Sequence, residues 1–291
     1  MARPARQYTK PARSPADLLG HLQRRGLIVP DPVRALAALE HIGYYRLLIY
    51  MRPFQQSPSK AFRSGADFSD VLDLYGFDRE LRLLCLDAVE RIEVALRAAI
   101  VSEVAVPHGS HFFLDASHFD RFEGYLEFLV TASRAKYLGI QHYRENYGVP
   151  DLAPVWTLME GVTLGSLSRL YSGLVRAHRK AIATRFAFDE KVLVSWFRSL
   201  NMLRNMCAHH NRTWNFHMVV DQPMAANKVK QEMGCTDRFY ARAVVTIALL
   251  GSIAPDSGWK ERLIGLIDRY PKVPIDDMGF PHDWRQRPFW R

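Results

Sequence analysis

The sequence predicts an all-α protein, a helical bundle preceded by an N-terminal helical subdomain and followed by a C-terminal helical extension. Three observations predict this class. Apolar residues recur at spacings of three and four over most of the chain. No stretch alternates apolar and polar residues between hairpin turns. The 291 residues, 48% of them hydrophobic, are enough to bury a large core.

The first elements are a basic arm and two short helices. Residues 1–16 are expected to be a flexible arm, because residues 1–13 hold no acid and four basic residues, which are Arg3, Arg6, Lys10 and Arg13. Ser14 is a predicted N-cap with Pro15 just inside the helix, and Gly26 marks its end. A second helix begins after Asp31. Residues 17–56 are therefore assigned to an N-terminal helical subdomain.

The central part of the chain, residues 57–217, is predicted to form the helical core. Its longest regular segment covers 67–104, where apolar residues repeat at helical spacing. Further helices are predicted over 119–138, 154–162, 165–173, 174–186 and 190–210. Residues 218–291 form a C-terminal extension with helices over 238–253 and 260–270, and it ends in the basic, aromatic tail PHDWRQRPFWR.

Charge and cysteine usage restrict the class of function. The 39 Lys and Arg residues outnumber 30 Asp and Glu, giving a formal net charge of +9 and favouring an anionic partner. The three cysteines are far apart and form no CxxC pair, which is typical of a reducing compartment. No apolar segment follows the basic N-terminus, and the uncharged run 243–255 is too short to cross a bilayer. A cytoplasmic protein without a membrane partner is expected.

The segment SLNMLRNMCAHHNRTWN, residues 199–215, has an unusual polar face. At 100 degrees per residue, one side of the predicted helix is an apolar stripe made of Leu193, Trp196, Leu200, Leu203 and Cys207. The opposite side carries Arg198, Asn201, Asn205, His209 and Arg212, with Arg204 at its border. Asn is mildly unfavourable inside a helix, so this choice of residues suggests a functional surface.

Arg, Asn and His together suit metal-independent cleavage of RNA. A histidine titrates near neutral pH and can move protons, a guanidinium matches phosphate oxygens, and an amide can orient either group. Arg204, Asn205 and His209 supply this set within six residues. An ordinary solvated helix face is the alternative. Metal binding by His209 and His210 with Cys207 or His217 is disfavoured, since no recognised ligand spacing is present.

Four ordered blocks resemble a known family. They are GLIVPDPVRALAALEHIGYYRLLIYMRPF, FDRELRLLCLDAVERIEVALRAAI, PVWTLMEGVTLGSLSRLYSGL and SWFRSLNMLRNMCAHHNR. The last contains an Arg-Asn-x-x-x-His signature, and LRNMCAHHNRTWN closely resembles that of the HEPN superfamily in abortive-infection proteins of the AbiD/AbiF type. The resemblance extends over roughly residues 17–217.

This resemblance implies a HEPN-like helical bundle and a metal-independent ribonuclease that needs no cofactor. It also implies a homodimer, in which two copies of the motif form one composite site. In this sequence Arg204 corresponds to the phosphate-contacting residue, His209 to the acid or base, and Asn205 to the residue that orients them. Proteins of this type act in anti-phage defence, and some relatives associate with a small non-coding RNA, so RNA is expected as substrate and as a possible partner.

Other basic and aromatic residues are candidates for RNA contact. Arg176, Arg179 and Lys180 are spaced along one helix face, although an ordinary solvated face is an equal alternative. Tyr44, Tyr45 and Arg46 could stack on unpaired bases or pack as an aromatic cluster, and the tail residues Trp284, Phe289 and Trp290 have the same two interpretations. The flanking residues Arg198, His210 and Arg212 complete the predicted RNA-binding set.

Carboxylates in the long helix are better explained by ion pairs than by metal binding. Asp87 precedes Arg91 and Glu93 precedes Arg97 by four residues, the spacing of intrahelical ion pairs. No phosphate-binding glycine loop is present. Two functions therefore remain: a dimeric endoribonuclease for phage defence, and a protein that grips a structured non-coding RNA without constitutive cleavage. An interaction module that binds no nucleic acid is the third, less favoured, interpretation.

Overall fold

The computed structural model describes Thr9 and residues 11–291. Most of the predicted basic arm, including Arg3, Arg6 and Lys10, lies outside the described residues. Where the chain is described, it forms helices and turns with three isolated backbone bridges and no strand. The all-α prediction is confirmed.

The helices are, in chain order, α1 (Pro15–Arg24), α2 (Pro32–Ala38), α3 (Tyr44–Met51), α4 (Phe68–Ile100), α5 (Val106–His108), α6 (Phe122–Arg134), α7 (Leu138–Asn146), α8 (Val155–Glu160), α9 (Leu164–Gly173), α10 (Arg176–Phe186), α11 (Glu190–Ala208), α12 (Phe239–Ile253) and α13 (Trp259–Arg269). Two π-helical segments, Leu39–Gly43 and Val101–Ala105, join α2 to α3 and α4 to α5. Short 3-10 turns cover Arg52–Phe54, Phe112–Leu114, Ala116–His118, Asn227–Glu232, Pro255–Ser257, Ile275–Met278, Trp284–Gln286 and Pro288–Trp290.

Helix starts follow the predicted capping chemistry. The Ser14 hydroxyl accepts a hydrogen bond from the Asp17 amide at 3.1 Å, and Asp31 accepts one from the Arg34 amide at 2.9 Å. In α1 and α2 a proline occupies the first helical position, where its missing amide hydrogen costs nothing. The predicted cap at Ser14 is confirmed.

The predicted helix over 119–138 is wrong in its extent. α6 covers only Phe122–Arg134, and a separate helix, α7, follows it over Leu138–Asn146. Only Ile140 and Tyr143 of α7 are buried, so its apolar pattern is too sparse to be recognised as periodic.

The chain divides into two compact units. The first comprises the residues up to Asp78 together with Tyr270–Val273, and the second comprises Arg79–Arg269 and Pro274–Arg291. Within the first unit, the buried Tyr50 hydroxyl donates to the Asp78 carboxylate at 2.6 Å. Within the second unit, the predicted apolar stripe of α11 is buried in the core against α9, α10 and α12, and its five residues are at most 1% exposed.

Arg242 organises the chain that follows α11. Arg242 lies on α12, and its side chain is fully buried. Its guanidinium donates to four backbone carbonyls of the segment between α11 and α12: Met218 at 3.1 Å, Asp221 at 3.5 Å, Arg238 at 3.2 Å and Thr236. Burial lowers the pKa of Arg242 to about 10. The carbonyl dipoles replace water around this cation, and one side chain therefore joins several points of the segment between α11 and α12.

The aromatic tail packs within the second unit. Trp284 and Trp290 are each 3% exposed, and they contact Phe280 and each other at ring-centroid distances of 5.0–5.6 Å. The packed interpretation of these two tryptophans is therefore confirmed, whereas Phe289 is half-buried beside Trp290.

Among the described residues, no single helix is both long and apolar enough to cross a membrane. In the part of the chain that the structure describes, one pair of helices, Phe239–Ile253 and Pro255–Arg269, reaches that length and hydropathy together, across a bend of 119°.

Candidate functional site

The Arg-Asn-x-x-x-His motif lies at the C-terminal end of α11. The helix ends at Ala208, two residues before the predicted end, with His209 as its C-cap. The amide of His210 donates to the Cys207 carbonyl at 3.1 Å, and that of Asn211 donates to the Met206 carbonyl at 2.8 Å. These crossed bonds define a Schellman motif. They require the left-handed conformation that His210 adopts, with φ of 57°.

The segment after the motif is anchored to the core of the second unit. Arg82, only 4% exposed, donates to the Asn211 carbonyl at 3.4 Å. Thr213 and Trp214 are fully buried, and the Trp214 indole donates to the Pro274 carbonyl at 3.2 Å. The end of α11 is therefore anchored before the motif by the buried apolar stripe of the helix and after it by the buried segment that follows His209.

The three motif side chains are accessible. Arg204 is half-buried, whereas Asn205 and His209 are exposed. A guanidinium nitrogen of Arg204 donates to the Asn205 amide oxygen at 3.4 Å. The backbone amide of His209 donates to the Asn205 carbonyl at 3.0 Å, but its imidazole forms no hydrogen bond with any described residue. The structure thus brings Arg204 and Asn205 into contact and leaves the imidazole open to solvent.

A half-buried acid on α4 interacts electrostatically with Arg204. Burial raises the pKa of Glu93 on α4, and the positive charges of Arg97 and Arg204 oppose that rise. Glu93 pairs with Arg97 at 2.5 Å, so this predicted ion pair is confirmed. Arg97 also contacts Glu160 at 3.4 Å and the Val162 carbonyl at 3.1 Å. The charge of Arg204 therefore interacts with a network of ion pairs between α4 and α8.

Gly165 allows α9 to approach this face of α11. A Cβ atom at Gly165 would lie 3.0 Å from the amide oxygen of Asn201 and 3.2 Å from its amide nitrogen. Asn201 is one helical turn before Asn205 on the polar face of α11. Close packing by α9 therefore fixes the position of an amide that neighbours the motif.

Two of the predicted RNA-contacting cations on α10 form ion pairs within the protein. Arg176 contacts Glu190 at 2.6 Å, and Arg179 contacts Asp120 at 3.1 Å. The Arg176 hydrogen bond is the largest effect lowering the pKa of Glu190, which outweighs burial of that carboxylate. Lys180 is exposed. These contacts connect α10 to the start of α11 and to the segment before α6.

The remaining candidates are distributed over both units. In the first unit, the Tyr44 and Tyr45 rings meet edge to face at 5.4 Å, and Arg46 lies over the Tyr75 ring at 5.8 Å. Tyr45 is 75% exposed, so this group is not a fully packed cluster. In the second unit, Arg198 and His210 are exposed and Arg212 is half-buried.

Carboxylates of α4 form ion pairs as the sequence predicts. Asp87 contacts Arg91 at 3.4 Å and Arg262 at 2.5 Å. Over Thr9 and residues 11–291, no group of three or more His, Cys, Asp and Glu side chains has a geometry that could hold a metal ion.

A protein-family model described as Abi-like protein matches residues 37–215, more than half of the chain. The chain belongs to the Abi-like protein family. Membership supports an abortive-infection role. The match begins in α2 and extends through the whole of α11 and the motif. No curated protein and no solved structure gives a significant match to the sequence.

The sequence did not indicate that three further residues contribute to the candidate site of this Abi-like protein. Gly165 contacts the motif face, Arg82 holds the segment after His209, and Glu93 acts electrostatically on Arg204. Spacing identified Glu93 as a partner of Arg97 only. Contacts between distant segments leave no periodic signal in the sequence, although all three residues lie within the blocks that resemble the family.

Proposed function

We propose that this Abi-like protein is a metal-independent endoribonuclease of the HEPN superfamily and AbiD/AbiF type, acting as a homodimer in the cytoplasm during abortive infection. The observation that supports this proposal is the open end of α11. There a guanidinium, an amide and an imidazole are accessible within six residues, and the first two are in contact at 3.4 Å.

The proposed reaction uses the 2'-hydroxyl of RNA as the nucleophile. That oxygen attacks the adjacent phosphorus, the bond to the 5'-oxygen of the next nucleotide breaks, and the products are a 2',3'-cyclic phosphate and a 5'-hydroxyl end. Arg204 stabilises the charge on the phosphoryl oxygens, since its planar donors match them. Asn205 orients the guanidinium, and His209 transfers a proton.

A homodimer accounts for the number of proton transfers. The reaction removes a proton from the 2'-hydroxyl and delivers one to the leaving oxygen. Two copies of α11 related by a two-fold axis supply His209 twice, one imidazole as base and the other as acid. Closed two-fold symmetry is also the commonest arrangement of protein homo-oligomers.

The direct test is cleavage of single-stranded RNA in the presence of EDTA. His209→Ala is expected to lower the cleavage rate about 10²- to 10⁴-fold, the usual cost of losing a catalytic acid or base. His282→Ala is the matched control, because that side chain is also exposed but lies in the C-terminal extension. Unchanged cleavage by His209→Ala would reject the assignment.

Mixing the parent with His209→Ala tests whether the site is composite. If both copies of His209 act in one site, only dimers of two parent copies cleave RNA. A 1:1 mixture that exchanges subunits at random then keeps about a quarter of the activity of the same total amount of parent protein. If each copy acts alone, the mixture keeps about half.

The second candidate is an RNA-binding protein that grips a structured non-coding RNA without constitutive cleavage. It is favoured by the imidazole of His209, which has no orienting hydrogen bond among the described residues. Salt-sensitive RNA binding that survives Arg204→Ala, with no turnover in any condition, would support this function over the first.

A further inference from the structure

Helices α9 and α11 lie side by side and run in opposite directions. Gly165, near the start of α9, packs on Asn201 toward the end of α11. Ser172, near the end of α9, lines the same cleft as Val194 near the start of α11. The boundary between the two helices therefore extends along α11 from its first turns toward the motif.

A cleft of about 440 Å³ opens at the first turns of α11. Its lining residues are Asp120, Arg121, Ser172, Arg179, Lys191 and Val194. The carboxylate of Asp120 is already neutralised by Arg179 at 3.1 Å. Arg121 and Lys191 are exposed and form no ion pair with any residue of the described chain. The cleft therefore has a positive charge that is not balanced by its own acid.

Exposed polar residues connect this cleft to the motif. Lys191, Arg198 and Asn205 are seven residues apart, so they project within about 40 degrees of one another on α11. All three are exposed. At the helical rise of 1.5 Å per residue, they cover about 21 Å along the axis. Of the acids on α6, Glu127 is paired with Arg169 at 3.3 Å.

We propose that the α9–α11 boundary, from the Arg121 and Lys191 cleft to the motif, is a track for the phosphate backbone of single-stranded RNA. This inference rests on the proposed function and adds where the substrate lies and which form it has. Lys191 and Arg198 lie on one line along α11, and Arg121 lines the same cleft as Lys191, which suits one flexible strand held by a basic groove. An A-form duplex presents two backbones and is recognised across its shallow minor groove, which a single line of cations does not match.

The test uses full-length protein carrying His209→Ala, so that bound RNA is not cut. The equilibrium constant for binding of a fluorescent single-stranded RNA is measured over a range of salt concentrations. The His209→Ala protein is compared with a double variant that also carries Arg121→Gln and Lys191→Gln. Each single-strand phosphate contact contributes about 0.7 to the slope of log K against log salt, so the double variant should lower that slope by about 1.4. Arg34→Gln with Lys230→Gln removes the same charges from exposed positions elsewhere and should leave the slope unchanged.

Oligonucleotide length supplies a second readout. An RNA of about four nucleotides, the lower end of single-strand site sizes, should be affected less by the double variant than one of about sixteen. If the parent binds single-stranded RNA and the double variant binds with the same slope, the track is refuted while the proposed ribonuclease stands. An equal effect on duplex RNA refutes the single-strand assignment. If the parent neither binds nor cuts RNA, both proposals are wrong.

Discussion

Gly165→Ala tests whether close packing of α9 fixes the polar face of α11. The added Cβ would lie 3.0 and 3.2 Å from the oxygen and nitrogen of the Asn201 amide, closer than ordinary van der Waals contact. Asn201 must therefore leave its position by several tenths of an ångström, and the amide one turn before Asn205 is displaced.

Two opposing effects set the expected stability change. Replacing glycine by alanine where the backbone allows it stabilises a protein by about 0.4–1 kcal/mol, because the unfolded chain loses freedom. Forcing a side chain away from its rotamer costs about 0.5–1.5 kcal/mol. The net effect of Gly165→Ala should therefore lie between a stabilisation of about 0.5 kcal/mol and a destabilisation of about 1 kcal/mol. Gly124→Ala, in the first turn of α6, should stabilise, because its Cβ would be 3.5 Å from the nearest atom, the Cα of Gly173.

Urea unfolding of both variants measures the difference directly, and an RNA-cleavage assay on the same samples reports on the site. We expect Gly165→Ala to be less stable than Gly124→Ala by about 1 kcal/mol and to cleave RNA more slowly. Equal stabilisation by both substitutions would refute the proposed contact between α9 and Asn201.

Two further predictions concern the second unit. Arg242→Met should lower the free energy of unfolding by about 3 kcal/mol, because several carbonyls around the buried guanidinium lose their donor at a cost of about 1–3 kcal/mol each. A loss below about 1 kcal/mol in urea unfolding would contradict this role of Arg242. Burial, followed by the nearby His108 and His118, lowers the pKa of His178 below its ordinary value. Between the ordinary histidine pKa of about 6.5 and the lower pKa in the folded state, the unfolded chain binds more protons than the folded one. The free energy of unfolding should therefore fall as pH falls below about 6.5, and it should fall less in His178→Gln. Urea unfolding of the parent and of His178→Gln at pH 7 and at mildly acidic pH would measure this difference. An equal fall in stability in both proteins would show that His178 does not cause the pH dependence.

The sequence predicted those features that depend on local periodicity. The apolar stripe of α11 is buried as expected, and the Glu93–Arg97 and Asp87–Arg91 pairs form at helical spacing. These results follow because residues three and four apart share a face in any α-helix. Helix α7 was missed because two buried side chains give too weak a pattern.

The candidate site was predictable in its residues but not in its surroundings. The motif in the sequence identified Arg204, Asn205 and His209. In contrast, Arg176 and Arg179 pair with acids that lie 14 and 59 positions away in the sequence, Glu190 and Asp120. No rule of spacing predicts partners at such separations. A row of basic residues on one helix can therefore be identified from sequence, but how many of them remain available for a ligand cannot.

The stopping point of α11 has a consequence for how the motif can change during evolution. Arg204 and Asn205 belong to the last regular turns, whereas His209 occupies the position where the helix gives way to the crossed bonds of the Schellman motif. The position of the His209 imidazole relative to the Arg204 guanidinium therefore depends on where the helix terminates. An insertion or deletion of one residue between Arg204 and His209 would rotate the histidine by about 100 degrees relative to the arginine, even if both residues were retained.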